Sequence, residues 1–354
     1  MSPLFVNSFN SFEFVDSLAE VSSHTERGVI ERSLLQTLTD YCPASELRLY
    51  RVLVNESNQG LALMAYAKNR VIDTLDYEIR DTTLPDEFSK AINKTIQSHT
   101  VQIVPNPQND DLVHSIYPAK NNNNQIIAIM IQSGSELDSK NQHLIHALLK
   151  VYSNYLELID KARRDKLTQL LNRESLDAEI SRILIRNNTA ENNILKLPDY
   201  SNSDLRRSAK NSVYWLGLVD IDHFEKIKNA HSHLNGDEIL ILVSRLLDKN
   251  IRDYDSAYRF DGEKFVIIIA SDNEKTATFA FERIRREINN HPFAEVGNVS
   301  ISIGITQISN QADPSNIIKE ADCALSFANS RGENQVRFYT HLLKAGLIEK
   351  YMED

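Results

Sequence analysis

Asp261, Gly262, Glu263, Lys264 and Phe265 follow one another directly, placing two acids and an ammonium around a glycine between the apolar runs on either side. Asp-Gly is a favoured pair for a tight two-residue loop, so Asp261-Gly262 is expected at the tip of a hairpin. Upstream, Arg252 and Asp255 are three positions apart. A guanidinium and a carboxylate at that spacing can form a surface ion pair of little worth to stability, or offer a planar donor and an acceptor to a polar ring edge. Arg283 lies in FERIRREI with Arg285 and Arg286, which read either as a solvated helix face or as part of a cationic grip. His223, His231 and His233 match no zinc spacing and read as solvated or locally bonded. Cys42 and Cys323 stand far apart and outside any CxxC pattern, so neither a disulfide framework nor a zinc site is expected.

The elements that must carry these residues divide into two groups. Val29 to Tyr41 and Asp86 to Ser98 have the periodicity of amphipathic helices, and Leu47 to Val54, Leu61 to Ala67, Val101 to Val104 and Gln125 to Gln132 read as strands. Asn121 to Asn124 is a turn before the last strand, because Asn side chains satisfy their own backbone. The order of elements, closing on QIIAIMIQ and a long helix, resembles a GAF sensory domain over residues 1–137. From Asp138, a plausible N-cap, to Arg164 the apolar residues Leu144, Ile145, Leu148, Val151, Tyr152, Tyr155, Leu158 and Ile159 share one stripe. That stripe packs on its own domain, or it is a linker that pairs with a second copy in a homodimer. Asn187 to Ser212 is polar, aperiodic and reads as a long surface loop.

With 354 residues, 42% hydrophobic and 25% charged, the chain is long enough for two cores, and ten Gly and nine Pro are too few for a disordered or collagen-like class. A net charge of -10 argues against sequence-independent nucleic-acid binding, which needs basic surface to displace counterions. The N-terminus has no signal-peptide pattern and no apolar stretch reaches the length of a membrane span, so a cytoplasmic protein without a membrane segment is expected.

Five segments, RDKLTQLLNR (164–173), VDIDHFEKIKNAHSHLNGDEIL (219–240), YRFDGEKFVII (258–268), SISIGIT (300–306) and ADCALSFANSRGENQV (321–336), fall in the order and spacing of the GGDEF family of diguanylate cyclases. The resemblance implies a palm-like sheet flanked by helices over residues 165–340, followed by a tail at 341–354. The whole chain is therefore expected to be α+β, a GAF-like domain joined by a helix at 138–164 to a GGDEF domain whose signature here is DGEKF.

The resemblance also implies what the chemistry needs, and several positions depart from it. Asp220 and Glu263 match the family's metal ligands, and hard oxygens suit Mg²⁺. The next acid, however, is Lys264, whose ammonium would repel a cation or take its place. Asp261 replaces a glycine that lets the backbone approach GTP. The phosphate-clamping positions are Glu225, Asn329 and Glu333, so negative charge gathers where a polyanion should sit. One unit charge at contact is worth up to roughly 4 kcal/mol at an effective dielectric near 20. Of the guanine-reading pair, Asp237 remains but its partner is Lys228, which offers no acceptor.

By contrast, Arg252 and Asp255 occupy the register of the family's RxxD inhibitory site, which binds cyclic di-GMP, and Arg283 matches a second arginine of that site. A guanidinium can bond the O6 and N7 edge of guanine, and a carboxylate can accept from N1 and N2. The sequence thus points to a non-catalytic cyclic di-GMP receptor whose state is read by a protein partner. The alternatives are an active diguanylate cyclase that joins two GTP across a dimer, and an interaction module that binds no nucleotide.

Overall fold

The computed structural model describes residues 27–349, apart from 43, 55–58, 75–85, 107–108, 191–212, 231–235, 253–254, 294–295, 310 and 312. Two compact units divide between Ala162 and Arg163.

In the first unit the order is α1 (Arg27–Tyr41), β1 (Glu46–Val54), β2 (Gln59–Lys68), β3 (Val71–Thr74), α2 (Asp86–Ser98), β4 (Gln102–Asn106), β5 (Asn109–Lys120), β6 (Ile126–Gly134) and α3 (Ser139–Ala162). The six strands form one antiparallel sheet in the order β3-β2-β1-β6-β5-β4. Alternation along the strands sends Leu47, Leu49, Ala65, Ala67, Tyr117 and Met130 towards α1 and α3. Tyr50, Leu61, Leu63, Ile116, Ile129 and Ile131 face the other way, towards Phe88 and Ile92 of α2. Asn121 makes the turn before β6 by accepting the amides of Asn123 and Gln125 on its side chain, and Asp138 caps α3 through the amide of Asn141. Ile145, Leu148, Leu149, Tyr152 and Ile159 of α3 lie in the first unit's core with α1 and the sheet. This part of the apolar stripe packs on its own domain. Leu158 stays 62% exposed.

The second unit runs α4 (Arg173–Ala190), β7 (Val213–Ile221), α5 (Phe224–Ala230), α6 (Gly236–Asn250), β8 (Ser256–Asp261), β9 (Lys264–Ser271), α7 (Glu274–Asn290), β10 (Ile301–Ile308), α8 (Pro314–Ser330), β11 (Val336–Phe338) and α9 (Tyr339–Lys344). The sheet order is β11-β10-β7-β9-β8, antiparallel except for the β10–β11 pair. Helices cover both faces, so the central strands are apolar on both sides. Trp215, Val219, Phe265, Ile267 and Ile303 pack with α6 and α7, while Leu216, Leu218, Val266 and Ile268 pack with α4 and α8. Gly304 lets α8 lie directly on β10, since a Cβ there would sit 2.1 Å from the Ala321 carbonyl oxygen and 2.3 Å from the Leu325 nitrogen.

Three sequence expectations change in detail. Asn187 belongs to α4, and of the loop expected from it to Ser212, residues 191–212 lie outside the described residues. The stretch expected as a tail from 341 begins inside α9, where Leu342 is buried against Ala324. At the hairpin, Asp261 pairs with Lys264, which makes Gly262 and Glu263 the two loop residues in place of Asp261-Gly262. Gly262 takes a φ of 47° there, a conformation that glycine adopts without a Cβ penalty.

Candidate functional site

The adjacent ends of β7, β9 and β10 bring the signature hairpin to Asp220. Asp220 pairs in register with Lys264 across β7 and β9, and with Ser302 across β7 and β10. Asn329, one residue before the end of α8, donates its Nδ2 to Asp220 Oδ2 at 3.0 Å. Asp220 Oδ1 is buried and has no hydrogen-bond partner among the described residues. The Lys264 ammonium turns to α8 and donates to Asp322 Oδ1 at 2.9 Å.

The electrostatics follow from this packing. Desolvation raises the Asp220 carboxyl above the usual carboxylate range; the Asn329 bond and the Lys264 charge oppose the rise, and Glu263 adds to it. For Lys264, burial pulls the ammonium down, yet the Asp322 bond and the charges of Asp322, Asp220 and Glu263 outweigh it and hold the group above its ordinary value. The second acid of VDID, Asp222, is structural. Its carboxylate accepts from Ser300 Oγ at 2.6 Å, Ser302 Oγ at 2.7 Å and the Asn334 amide at 2.9 Å, which ties the loop after α8 to the sheet.

The positions matched to phosphate and guanine binding surround this centre. His223 Nε2 meets Glu333 Oε2 at 2.7 Å, and both residues have positive φ, 58° and 56°. Lys228 lies 3.7 Å from Glu225, and its side chain runs past Gly236, where a Cβ would meet it at 3.5 Å. Asp237 is exposed in the first turn of α6. His231 and His233 lie outside the described residues. No group of three or more His, Cys, Asp or Glu that could hold a metal ion occurs among the described residues.

Arg252 and Asp255 lie where α6 gives way to β8. Asp255, 8% exposed, accepts the Arg252 amide at 3.1 Å and the Ala270 amide at 3.2 Å, while its own amide bonds the Arg252 carbonyl at 2.9 Å. Its carboxylate thus helps to fix the turn that presents Arg252. Burial raises its carboxyl above the usual range against the pull of these two backbone bonds and of the Arg252 and Arg283 charges. Arg283 donates Nη2 to the Asn250 carbonyl at 2.7 Å, across to the end of α6. Beside it opens a hollow of about 660 Å³ along the outer face of α7, lined by Phe279, Glu282, Arg283 and Arg286 among others. Phe279 is 71% exposed there.

The sequence from 162 to 335, which holds both the hairpin centre and the arginine group, matches the family model of the diguanylate cyclase GGDEF domain. The second unit carries a GGDEF domain. Over 126 residues, 34% of this chain, it is 31% identical to the diguanylate cyclase DosC of Escherichia coli K12. Over 125 residues it is 36% identical to the response regulator PleD of Caulobacter vibrioides. These stretches are 27% of DosC and 28% of PleD, so the chain spans about a quarter of these relatives' own length. Among solved structures, the GGDEF domain of DgcB from Caulobacter crescentus in complex with c-di-GMP covers 51% of this chain and 96% of its own, with 22% identity and a TM-score of 0.41. No helix among the described residues is long and apolar enough to cross a membrane.

Three residues beside these groups escaped sequence reading. Asp322 stands within ADCALSFANS, and the signal for it was the need of a half-buried Lys264 for a carboxylate partner. Asp222 was hidden because a second acid in VDID reads as one more ligand. Phe279 has the type of a core residue, and only its placement on the outer face of α7 distinguishes it.

Proposed function

We propose that this protein is a non-catalytic receptor for cyclic di-GMP, which it binds at Arg252, Asp255 and Arg283, with Asp255 also holding the turn that carries Arg252. The observation that carries the reading is that the charges of Arg252 and Arg283 both act on one buried, backbone-capped carboxylate, Asp255. Guanidinium groups suit the O6 and N7 edge of guanine and the diester phosphates alike. The open hollow with exposed Phe279 beside Arg283 offers a ring face on which a base can stack.

The hairpin centre supports the non-catalytic half of the reading. Cyclase chemistry requires a hard dication at two carboxylates, and the donor set here does not suit one. Asp220 is bonded to Asn329, and the ammonium of Lys264, anchored on Asp322, puts an internal positive charge within reach of both Asp220 and Glu263. An extra cation there faces repulsion from the start.

The first unit supports a sensory role on the GAF pattern, since one antiparallel sheet sits between α2 and the α1–α3 pair and its last strand runs into the long α3. A homodimer through α3 would have to use the side left outside the core, where Leu158 is exposed.

One observation favours a second reading, an active diguanylate cyclase. The buried, unpartnered Asp220 Oδ1 and its raised carboxyl form the kind of perturbed group that functional sites keep. Calorimetry separates the possibilities. Cyclic di-GMP should give saturable heat that Arg252→Ala removes, while GTP with Mg²⁺ or Mn²⁺ should yield no product by chromatography. Heat from neither nucleotide would leave a protein-interaction module in place of a receptor.

A further inference from the structure

A hollow of about 400 Å³ in the first unit is lined by His99, Thr100, Val101, Pro118, Lys120, His146, Leu149 and Lys150. Three segments meet at it, the α2–β4 connection, the end of β5 and the middle of α3. Its polar wall consists of two imidazoles, two ammonium groups and one hydroxyl, with no acid among the lining residues. Glu157, further along α3, is taken by Lys161 at 2.8 Å and by the Asn122 amide at 3.3 Å. Among the described residues Lys150 donates to a neutral partner, Asn122 Oδ1, at 3.2 Å.

Two details mark the wall as unfinished. His99 sits at a positive φ of 57°, uncommon for a residue with a side chain, and its buried Nδ1 has no hydrogen-bond partner among the described residues. His146 stacks edge-on against Tyr117 at 5.6 Å; desolvation and the nearby charges of His143 and Lys120 lower its affinity for a proton. Basic groups collected without a counter-charge repel one another, and an anion placed between them relieves that repulsion. Val101, Pro118 and Leu149 supply an apolar floor, so the hollow has room and surface for a hydrocarbon part beside the charge.

We propose that this hollow binds a small organic oxyanion, a phosphate or carboxylate attached to a compact apolar body, held by His99, Lys120, His146 and Lys150. Its chemistry is independent of the arginine group in the second unit.

The test uses the full chain and three probes, phenyl phosphate, benzoate and the neutral control phenol, followed by the ring-proton resonances of the histidines. Saturable shifts of the His99 and His146 resonances with one or both anions, and none with phenol, are expected; the anion that acts identifies the headgroup. In Lys120→Gln/His146→Gln the remaining His99 shift should require about tenfold more anion, while heat from cyclic di-GMP stays unchanged. Lys150→Gln, at an exposed position, serves as a second variant and should weaken binding in the same direction. No shift with either anion, an equal shift with phenol, or undiminished binding in both variants would overturn the assignment.

Discussion

The ammonium of Lys264 and the carboxylate of Asp322 lie 2.9 Å apart, bridging the signature hairpin and α8 beside Asp220. Both side chains are more than a third exposed, so the pair itself adds little stability. Its consequence is positional, because it sets a fixed positive charge where a dication would compete. Lys264→Glu removes that charge and places an acid near Asp220, Glu263 and Asp322. In metal-free buffer the variant should lose about 1 kcal/mol of stability from like-charge repulsion. Mn²⁺ should raise its melting temperature and leave that of the wild type unchanged, which thermal melts with and without the ion will read.

Asp220 provides a pH test. Its folded carboxyl is raised above the unfolded value, so the protonated form favours folding; that contribution is present below the unfolded pKa and is lost as pH rises through the raised folded one. Asp220→Asn keeps an oxygen for Asn329 Nδ2 and removes the buried charge. The variant should therefore melt higher than wild type at neutral pH, and the two curves should converge as pH falls into the carboxylate range, near about 4. A constant difference across that range would show that burial of charge is not the cause.

If cyclic di-GMP binds as proposed, Phe279 and Arg283 should make separable contributions. Phe279 is 71% exposed, so Phe279→Ala should leave the melting temperature nearly unchanged and weaken cyclic di-GMP by about tenfold, the worth of one stacked base. Arg283→Ala also releases the Asn250 carbonyl and should cost about 1 kcal/mol of stability in addition to the lost affinity. Calorimetry alongside thermal melts distinguishes the two patterns.

Gly304 tests the packing that positions Asn329 and Asp322. A Cβ at this position would collide with backbone atoms of Ala321 and Leu325, which cannot move aside without shifting α8 off β10. Gly304→Ala should destabilise the second unit by about 3 kcal/mol or more, measured by denaturant unfolding. Gly262→Ala, at an open loop position with φ of 47°, should cost only about 1 kcal/mol.

Much of this architecture was legible from local pattern. Helix Asp86–Ser98 matched its expected bounds, and the Asn run produced its turn because Asn121 caps the chain two and four residues on. Strand Val71–Thr74 was not legible, since four residues with Val71 exposed carry too little alternation to separate from a loop. Strand Asn109–Lys120 was hidden by its polar start and by Pro118, which breaks the usual strand signal. At the sites, residue types predicted which groups gather, but not how they are spent. The carboxylate of Asp255 reads as a ligand and accepts two backbone amides; Lys264 reads as a misplaced cation and has its own acid on α8. Of these partners, Ala270 and Asp322 lie 15 and 58 positions away in sequence and become visible only when the sheet is assembled.

The most direct measurement is titration of the purified chain with GTP and cyclic di-GMP side by side, with the GTP reaction followed for product in Mg²⁺ and Mn²⁺. Saturable binding of cyclic di-GMP that disappears in Arg252→Ala, with GTP recovered intact, is the expected result. Formation of cyclic di-GMP from GTP by this chain, lost in Asp220→Ala, would contradict it.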